Sequence, residues 1–160
     1  MKYNIIIEEL RKHPKYISIV VDWLYKEWGN NNRNYWDSWV RHSTKENDIP
    51  KTYILFLNNH IVGTYSIWRC DLQSRQDLFP WFGGMYVDST YRGKYYNGEK
   101  LGEILQRHAE LELKKLNYNE VFLFTSHSPE YYIRNGWKYL CKAPDENDQL
   151  VNICQKIINY

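Results

Sequence analysis

From Trp81 to Leu105 the chain reads WFGGMYVDSTYRGKYYNGEKLGEIL, and three kinds of pattern follow one another in it. Trp81 to Val87 is aromatic and apolar enough for a central strand, yet it holds Gly83 and Gly84, which weaken a strand unless a bulge or a close backbone approach is needed there. Asp88 to Asn97 is a polar loop. Gly98 to Leu116 then sets Leu101, Ile104, Leu105, His108, Leu111 and Leu116 in a helical stripe. A strand, a basic turn with glycines and a long helix together carry chemical meaning, because a helix start presents unpaired amides and the positive end of a dipole to a phosphate. Arg92 and Lys94 add charge to that turn, and Gly93 and Gly98 let backbone come close. A plain connection with solvated basic side chains reads equally well from these residues alone. A nucleotide P-loop does not, since Glu99-Lys100 stands where Lys followed by Ser or Thr belongs.

Upstream, Tyr3 to Glu8 reads as a first strand, and 15–28 as a helix bounded by Pro14 and Gly29, with Ile17, Val20, Val21, Leu24 and Trp28 at helical spacing. Gly29 to Asn34 is a polar loop, and Tyr35 to Ser43 a short helix with Trp36, Trp39 and Val40 on one side. Lys51 to Leu57 and Ile61 to Leu72, joined at Asn58-Asn59, form an antiparallel hairpin. Downstream, Val121 to Thr125 is a short strand. Ser128-Pro129-Glu130 opens a short helix that Asn135-Gly136 closes, and two strands, 137–142 and 150–157, flank a turn at Pro144 to Asp148.

Composition narrows the function classes. At 160 residues and 43% hydrophobic, the chain has room for one core, so a single domain over 1–160 is expected. A net charge of +2, from 21 basic against 19 acidic residues, lacks the excess that binding a phosphate backbone requires, which argues against nucleic acid. Cys70, Cys141 and Cys154 are too scattered for a zinc site or a disulfide framework, and reduced cytoplasmic thiols are the simplest expectation. The three consecutive Ile at Ile5 to Ile7 are too few for a signal-peptide core, and no apolar run approaches membrane-spanning length.

Two patterns, in order, resemble the GNAT superfamily of acetyltransferases. Met85-Tyr86-Val87 followed by Tyr91-Arg92-Gly93-Lys94 is similar to that family's strand ending in apolar-x-Val and the start of its Arg/Gln-x-x-Gly-x-Gly/Ala turn. Tyr131-Tyr132-Ile133-Arg134-Asn135-Gly136-Trp137 is similar to its apolar-Tyr-x-x-x-Gly-aromatic segment. Counted from Arg92, the family's glycines fall on Tyr95 and Asn97, so the turn is expected to run one residue long and end at Gly98.

The resemblance implies a mixed α/β fold: a largely antiparallel sheet of about seven strands, splayed after the fourth, flanked by about four helices. It implies acetyl-CoA-dependent transfer of an acetyl group to a primary amine, on a small molecule or a peptide or protein N-terminus, by direct attack in a ternary complex. Acetyl-CoA is the cosubstrate, with no metal. The alternative is a catalytically inactive acyl-CoA-binding or regulatory module. Backbone groups of Met85, Tyr86 and Val87 would hold the pantetheine arm, and Arg92, Gly93, Lys94, Tyr95, Tyr96, Asn97, Gly98 and Glu99 the pyrophosphate. Gly83 and Gly84 fit a bulge that aims amides at the ligand. Tyr132 would protonate the departing thiolate, its register with Gly136 favouring it over Tyr131. His127, past the strand end, is the expected general base, since histidine is the side chain that titrates nearest neutrality. Asp71, Glu27 and an ordered water are alternatives. Trp28, Trp81, Phe82 and Asp71 are expected to line the acceptor site. A cytoplasmic monomer or homodimer, without membrane or nucleic-acid partners, completes the expectation.

Overall fold

The computed structural model describes residues 2–29 and 32–159. In chain order the elements are β1 (Ile5–Glu9), α1 (Ile17–Trp28), α2 (Arg33–His42), β2 (Lys51–Leu57), β3 (His60–Trp68), β4 (Trp81–Val87), β5 (Tyr95–Tyr96), β6 (Glu99–Lys100), α3 (Leu101–Lys115), β7 (Glu120–Thr125), α4 (Glu130–Arg134), β8 (Lys138–Pro144) and β9 (Leu150–Ile157). Seven strands form one mixed sheet in the order β1-β2-β3-β4-β7-β9-β8, and β5 and β6 form a small separate ribbon. β1 runs antiparallel to β2, and β9 antiparallel to both β7 and β8. β4 pairs in parallel with β7, Trp81 opposite Phe122, as a strand-helix-strand crossover through α3 requires. The expected mixed α/β fold is thus the observed one.

The chain gathers into two compact units, Met1–Ser66 with Gly84–His108 and Ile67–Gly83 with Ala109–Tyr160. β3, β4 and α3 each run from one into the other.

In the first unit, α1 buries Ile17, Val20, Val21 and Leu24, a stripe at the i, i+3, i+4, i+7 spacing, against Leu10, Val40 and Ile54. α2 starts at Arg33 rather than Tyr35, because the Asn32 side chain accepts the Tyr35 amide at 3.2 Å and caps the first turn. Arg33 then binds Asp22 at 2.7 Å and the Ser18 hydroxyl at 3.0 Å, tying the start of α2 to α1. The expected 29–34 loop is therefore shorter, and its Asn30 and Asn31 lie outside the described residues. Asn58 and Asn59, at φ 48° and 69°, make the tight β2–β3 turn, a conformation asparagine tolerates better than most residues. Tyr53 stacks on Tyr65 with centroids 4.9 Å apart, and the Tyr65 hydroxyl meets His108 Nδ1 at 2.8 Å.

In the second unit, Trp81 packs against Phe122 and Phe124, and Phe82 against Trp137. Along α3, whose residues up to His108 belong to the first unit, the buried stripe is Leu101, Leu105, Ala109 and Leu113, whereas Leu111, expected in it, is 54% exposed. A strict i, i+4 row of apolar residues prevails over the looser stripe read from sequence. Among the described residues no helix is long and apolar enough to cross a membrane, and no group of three or more His, Cys, Asp or Glu could hold a metal ion.

Candidate functional site

The end of β4 in the first unit is braced by aromatic and basic side chains. Tyr86 is buried and stacks on Trp23 with centroids 5.1 Å apart. The Arg92 guanidinium lies 4.8 Å over the Tyr86 ring, donates from Nε to the Val87 carbonyl at 2.5 Å, and pairs through Nη2 with Glu27 at 3.1 Å. Arg92 is thus a strap across the strand end, tied to Tyr86, Val87 and Glu27. Gly93 follows at φ +72°, with open space where a side chain would stand.

The turn beyond it is a hairpin. Tyr95 pairs with Lys100 and Tyr96 with Glu99, with Asn97 and Gly98 at φ 52° and 89° between them, the positive-φ pair that a two-residue turn demands. The Asn97 side chain also joins the N-terminal segment: its Oδ1 accepts the Tyr3 amide at 2.9 Å and its Nδ2 donates to the Tyr3 carbonyl at 2.8 Å. Tyr96 is buried, edge-on to Tyr3. The expectation of a turn one residue long is corrected here: a whole ribbon, 95–100, stands between Lys94 and the helix, and α3 begins at Leu101 rather than Gly98.

The helix start, with its unpaired amides, therefore falls at Leu101. The glycine in the first turn of α3 is Gly102, which counting from Arg92 overlooks. Asn-Gly flanked by Tyr-Tyr and Glu-Lys is the signal that marks the ribbon in advance. Glu103 reaches back to the Lys100 amide at 3.4 Å, in the manner of a capping box, while Glu99 pairs with Arg107. The first amides of a 15-residue helix, with Lys94 and Lys100 in the same segment, are donors of the type a pyrophosphate takes. By that chemistry the residues present fit the phosphates of acetyl-CoA, though Tyr95, Tyr96, Asn97, Gly98 and Glu99 are committed to the ribbon.

In the second unit two ionisable side chains are reached from β4, Asp71 at Gly83 and Tyr132 through Trp137 at Phe82. A β-carbon added at Gly83 would overlap Asp71 Oδ2 and come within 2.9 and 3.0 Å of Trp68 Cδ1 and Nε1. The glycine therefore makes room for a carboxylate and an indole against the strand. Asp71 is half-buried as a residue, densely surrounded yet not sealed from solvent, and burial pushes its carboxyl up to about 7. At the preceding position the Phe82 ring packs on Trp137, 5.9 Å between centroids, and Trp137 meets Tyr132 edge-on at 6.2 Å. Tyr132 sits in α4, whose first turn closes on Pro129 (Tyr132 N–H to Pro129 carbonyl, 3.0 Å) and whose last ends at Gly136, φ +86°. Burial, with smaller contributions from Tyr131 and Cys154, pushes the Tyr132 hydroxyl up to about 12.

No protein-family model and no curated protein sequence matches the chain. Solved structures do. The aminoglycoside 6'-N-acetyltransferase from Enterococcus faecium is similar at a TM-score of 0.73 and 16% identity, over 97% of this chain and 98% of its own. An acetyltransferase of the GNAT family from Streptococcus pneumoniae gives 0.67 and 17%, over 98% and 100%. The protein yncA from Salmonella typhimurium, solved with its cofactor acetyl-CoA, gives 0.70 and 12%, over 99% and 95%. The chain has the GNAT fold.

Within this GNAT fold the expected acceptor residues separate. Trp81 and Phe82, expected to line the acceptor site, are 0% and 2% exposed and belong to the core, the Trp81 indole N–H donating to the Leu78 carbonyl at 2.8 Å. Trp28 is 46% exposed at the end of α1, and Asp71, in the connection between β3 and β4, lies against Gly83 as described. Met85 is half-buried in β4 beside Gly84, whose φ of +59° bends the strand where the GNAT resemblance expects a bulge. His127 is exposed beyond β7, its amide donating to Thr125 Oγ1 at 3.1 Å and its carbonyl accepting from Asn152 at 3.1 Å, so its backbone closes the strand end.

Proposed function

We propose that the chain is an acetyl-CoA-dependent N-acetyltransferase acting on a primary amine. The observation that carries the reading is Tyr132, edge-on to Trp137 on a short helix that leads into Gly136-Trp137, the segment that resembles the family's proton donor. A departing thiolate needs a donor that is protonated at neutral pH, which a tyrosine hydroxyl is at its ordinary value and remains when burial raises it. The similarity to acetyltransferase structures, among them one of an aminoglycoside 6'-N-acetyltransferase and one holding acetyl-CoA, supports the same reaction class.

Backbone groups of Met85 to Val87 would take the pantetheine arm. The phosphates would meet the first amides of α3 around Gly102, with Gly93 and Lys94, and not the Arg92 guanidinium. Acetyl-CoA supplies the activated acyl group; the chain's residues bind it, orient the amine and move protons. The amine attacks directly while both substrates are bound. A small-molecule amine is the favoured acceptor, by likeness to the aminoglycoside enzyme.

A second reading, a regulatory module of the same fold, draws on the Arg92–Glu27 pair and the 95–100 ribbon, both of which depart from the family's phosphate turn. Calorimetry with acetyl-CoA, followed by thiol release across spermidine, kanamycin, L-lysine and triglycine amide, separates the two. The enzyme reading expects binding and release with at least one amine. Binding with no release across the panel supports the module, and absence of binding rejects both.

A further inference from the structure

Phe82 and Gly83 are successive residues of an extended strand, so they point to opposite faces of the sheet. On the Phe82 side the chain of contacts runs through Trp137 to Tyr132. On the Gly83 side, in the place of a side chain, stand the Asp71 carboxylate and the Trp68 indole. An acid and a carboxylate thus flank one strand at adjacent positions. Among the described residues no cation or hydrogen-bond donor pairs with the Asp71 carboxylate; the titratable neighbour is the half-buried Cys70 thiol, itself raised by burial. A densely surrounded carboxylate without a partner is costly to keep, and an ammonium at the carboxylate is the ligand that offsets this cost. The other carboxylate and imidazole considered for the role are placed differently: Glu27 is paired with Arg92, and His127 is exposed.

We propose that Asp71 binds the ammonium of the acceptor amine and removes its proton, on the face of β4 opposite Tyr132. This rests on the acetyltransferase reading and names its missing base. Asp71 takes one proton from the ammonium and later releases it to water. The freed nitrogen lone pair forms the C–N bond as the C–S bond breaks. Tyr132 gives its proton to the departing sulfur, and the proton that the nitrogen sheds on becoming an amide restores the tyrosine. One proton is released per turnover, and no oxidant or further reactant is needed. The acceptor class is an amine that arrives charged, and Gly83 is the residue that admits the carboxylate.

The test compares wild type, Asp71→Asn, Gly83→Ala and the double variant, each checked for folding by circular dichroism and for coenzyme A affinity by calorimetry. Thiol release is then followed from pH 5.5 to 9 with spermidine, kanamycin, L-lysine and triglycine amide. Asp71→Asn is expected to bind coenzyme A as wild type does and to lose roughly 100-fold in kcat/KM on any amine accepted, together with the acid limb of the pH profile. Gly83→Ala, by displacing the carboxylate, gives a comparable loss, and the double variant adds nothing further. If Asp71→Asn stays within about threefold of wild type with its acid limb intact, Asp71 is not the base while the acetyltransferase reading stands. A wild-type chain that neither binds coenzyme A nor releases thiol overturns both.

Discussion

Asp71 Oδ2 occupies the space that a β-carbon at residue 83 would need, so the carboxylate and the glycine are a matched pair. The carboxyl's folded-state value, pushed up to about 7 by burial, lies above the ordinary carboxylate value it regains on unfolding. The native chain therefore holds a proton that the unfolded chain releases. The stability this group contributes is complete below about pH 4 and is lost as pH rises through 7. Asp71→Asn removes that loss. Its melting temperature should match wild type near pH 4 and exceed it at pH 8. A shift of this size corresponds to about 4 kcal/mol in full, and residual exposure of the residue brings the expected gain nearer 2. Thermal melts from pH 4 to 8.5 check this, and parallel curves for the two proteins would remove Asp71 as the titrating group.

Arg92 touches Glu27, the Val87 carbonyl and the Tyr86 ring at once, all within the first unit. Arg92→Ala is therefore expected to cost about 1 kcal/mol of stability, a half-exposed ion pair contributing little and the ring contact and carbonyl bond most of it. Coenzyme A affinity should change by less than about threefold, whereas Gly102→Val, which crowds the first amides of α3, should weaken it by tenfold or so. Calorimetry on both variants decides: a large loss with Arg92→Ala and none with Gly102→Val would return the phosphate site to the arginine.

The ribbon at 95–100 turns on Asn97. Asn97→Ala forfeits both bonds to Tyr3 and places a β-branchless but chiral residue at φ 52°, which alanine occupies less readily than asparagine. The expected cost is about 1–2 kcal/mol in urea unfolding. Asn97→Gly keeps the turn conformation and loses only the side-chain bonds, so it should fall between wild type and Asn97→Ala. An Asn97→Gly chain less stable than Asn97→Ala would place the turn's strain elsewhere.

Some of this was legible from residue order alone. Trp81 to Val87 announces itself as a strand by composition, and Pro129 and Gly136 bracket α4 because each acts through its own backbone. The ribbon was obscured by a choice of reference: spacing measured from Arg92 treats the turn as one loop, and only Asn97-Gly98 between two dipeptides shows that the chain doubles back first. Burial is a tertiary property, so Trp81 and Phe82 looked as suitable for an acceptor trough as Trp28 does. The partnership of Asp71 with Gly83 was hidden for the same reason, because the connection between β3 and β4 has no periodicity from which a contact could be inferred.

Tyr132 and Tyr131 are in edge-on contact, 5.1 Å between centroids, so substitution must separate an acid from its neighbour. Tyr132→Phe keeps the ring packed on Trp137 and deletes only the hydroxyl. If that hydroxyl protonates the thiolate, kcat and kcat/KM fall together by roughly 100-fold while coenzyme A affinity is unchanged, the signature of an interaction made in the transition state alone. Because burial holds the hydroxyl up to about 12, the wild-type rate should show no alkaline decline below pH 10 that disappears in Tyr132→Phe. Tyr131→Phe, its carbonyl still accepting from Asn135 at 2.8 Å, should leave turnover within about threefold of wild type. Steady-state thiol release for the three proteins between pH 6 and 10.5 reads all of this. A larger loss with Tyr131→Phe would shift the acid by one residue and set aside the register with Gly136.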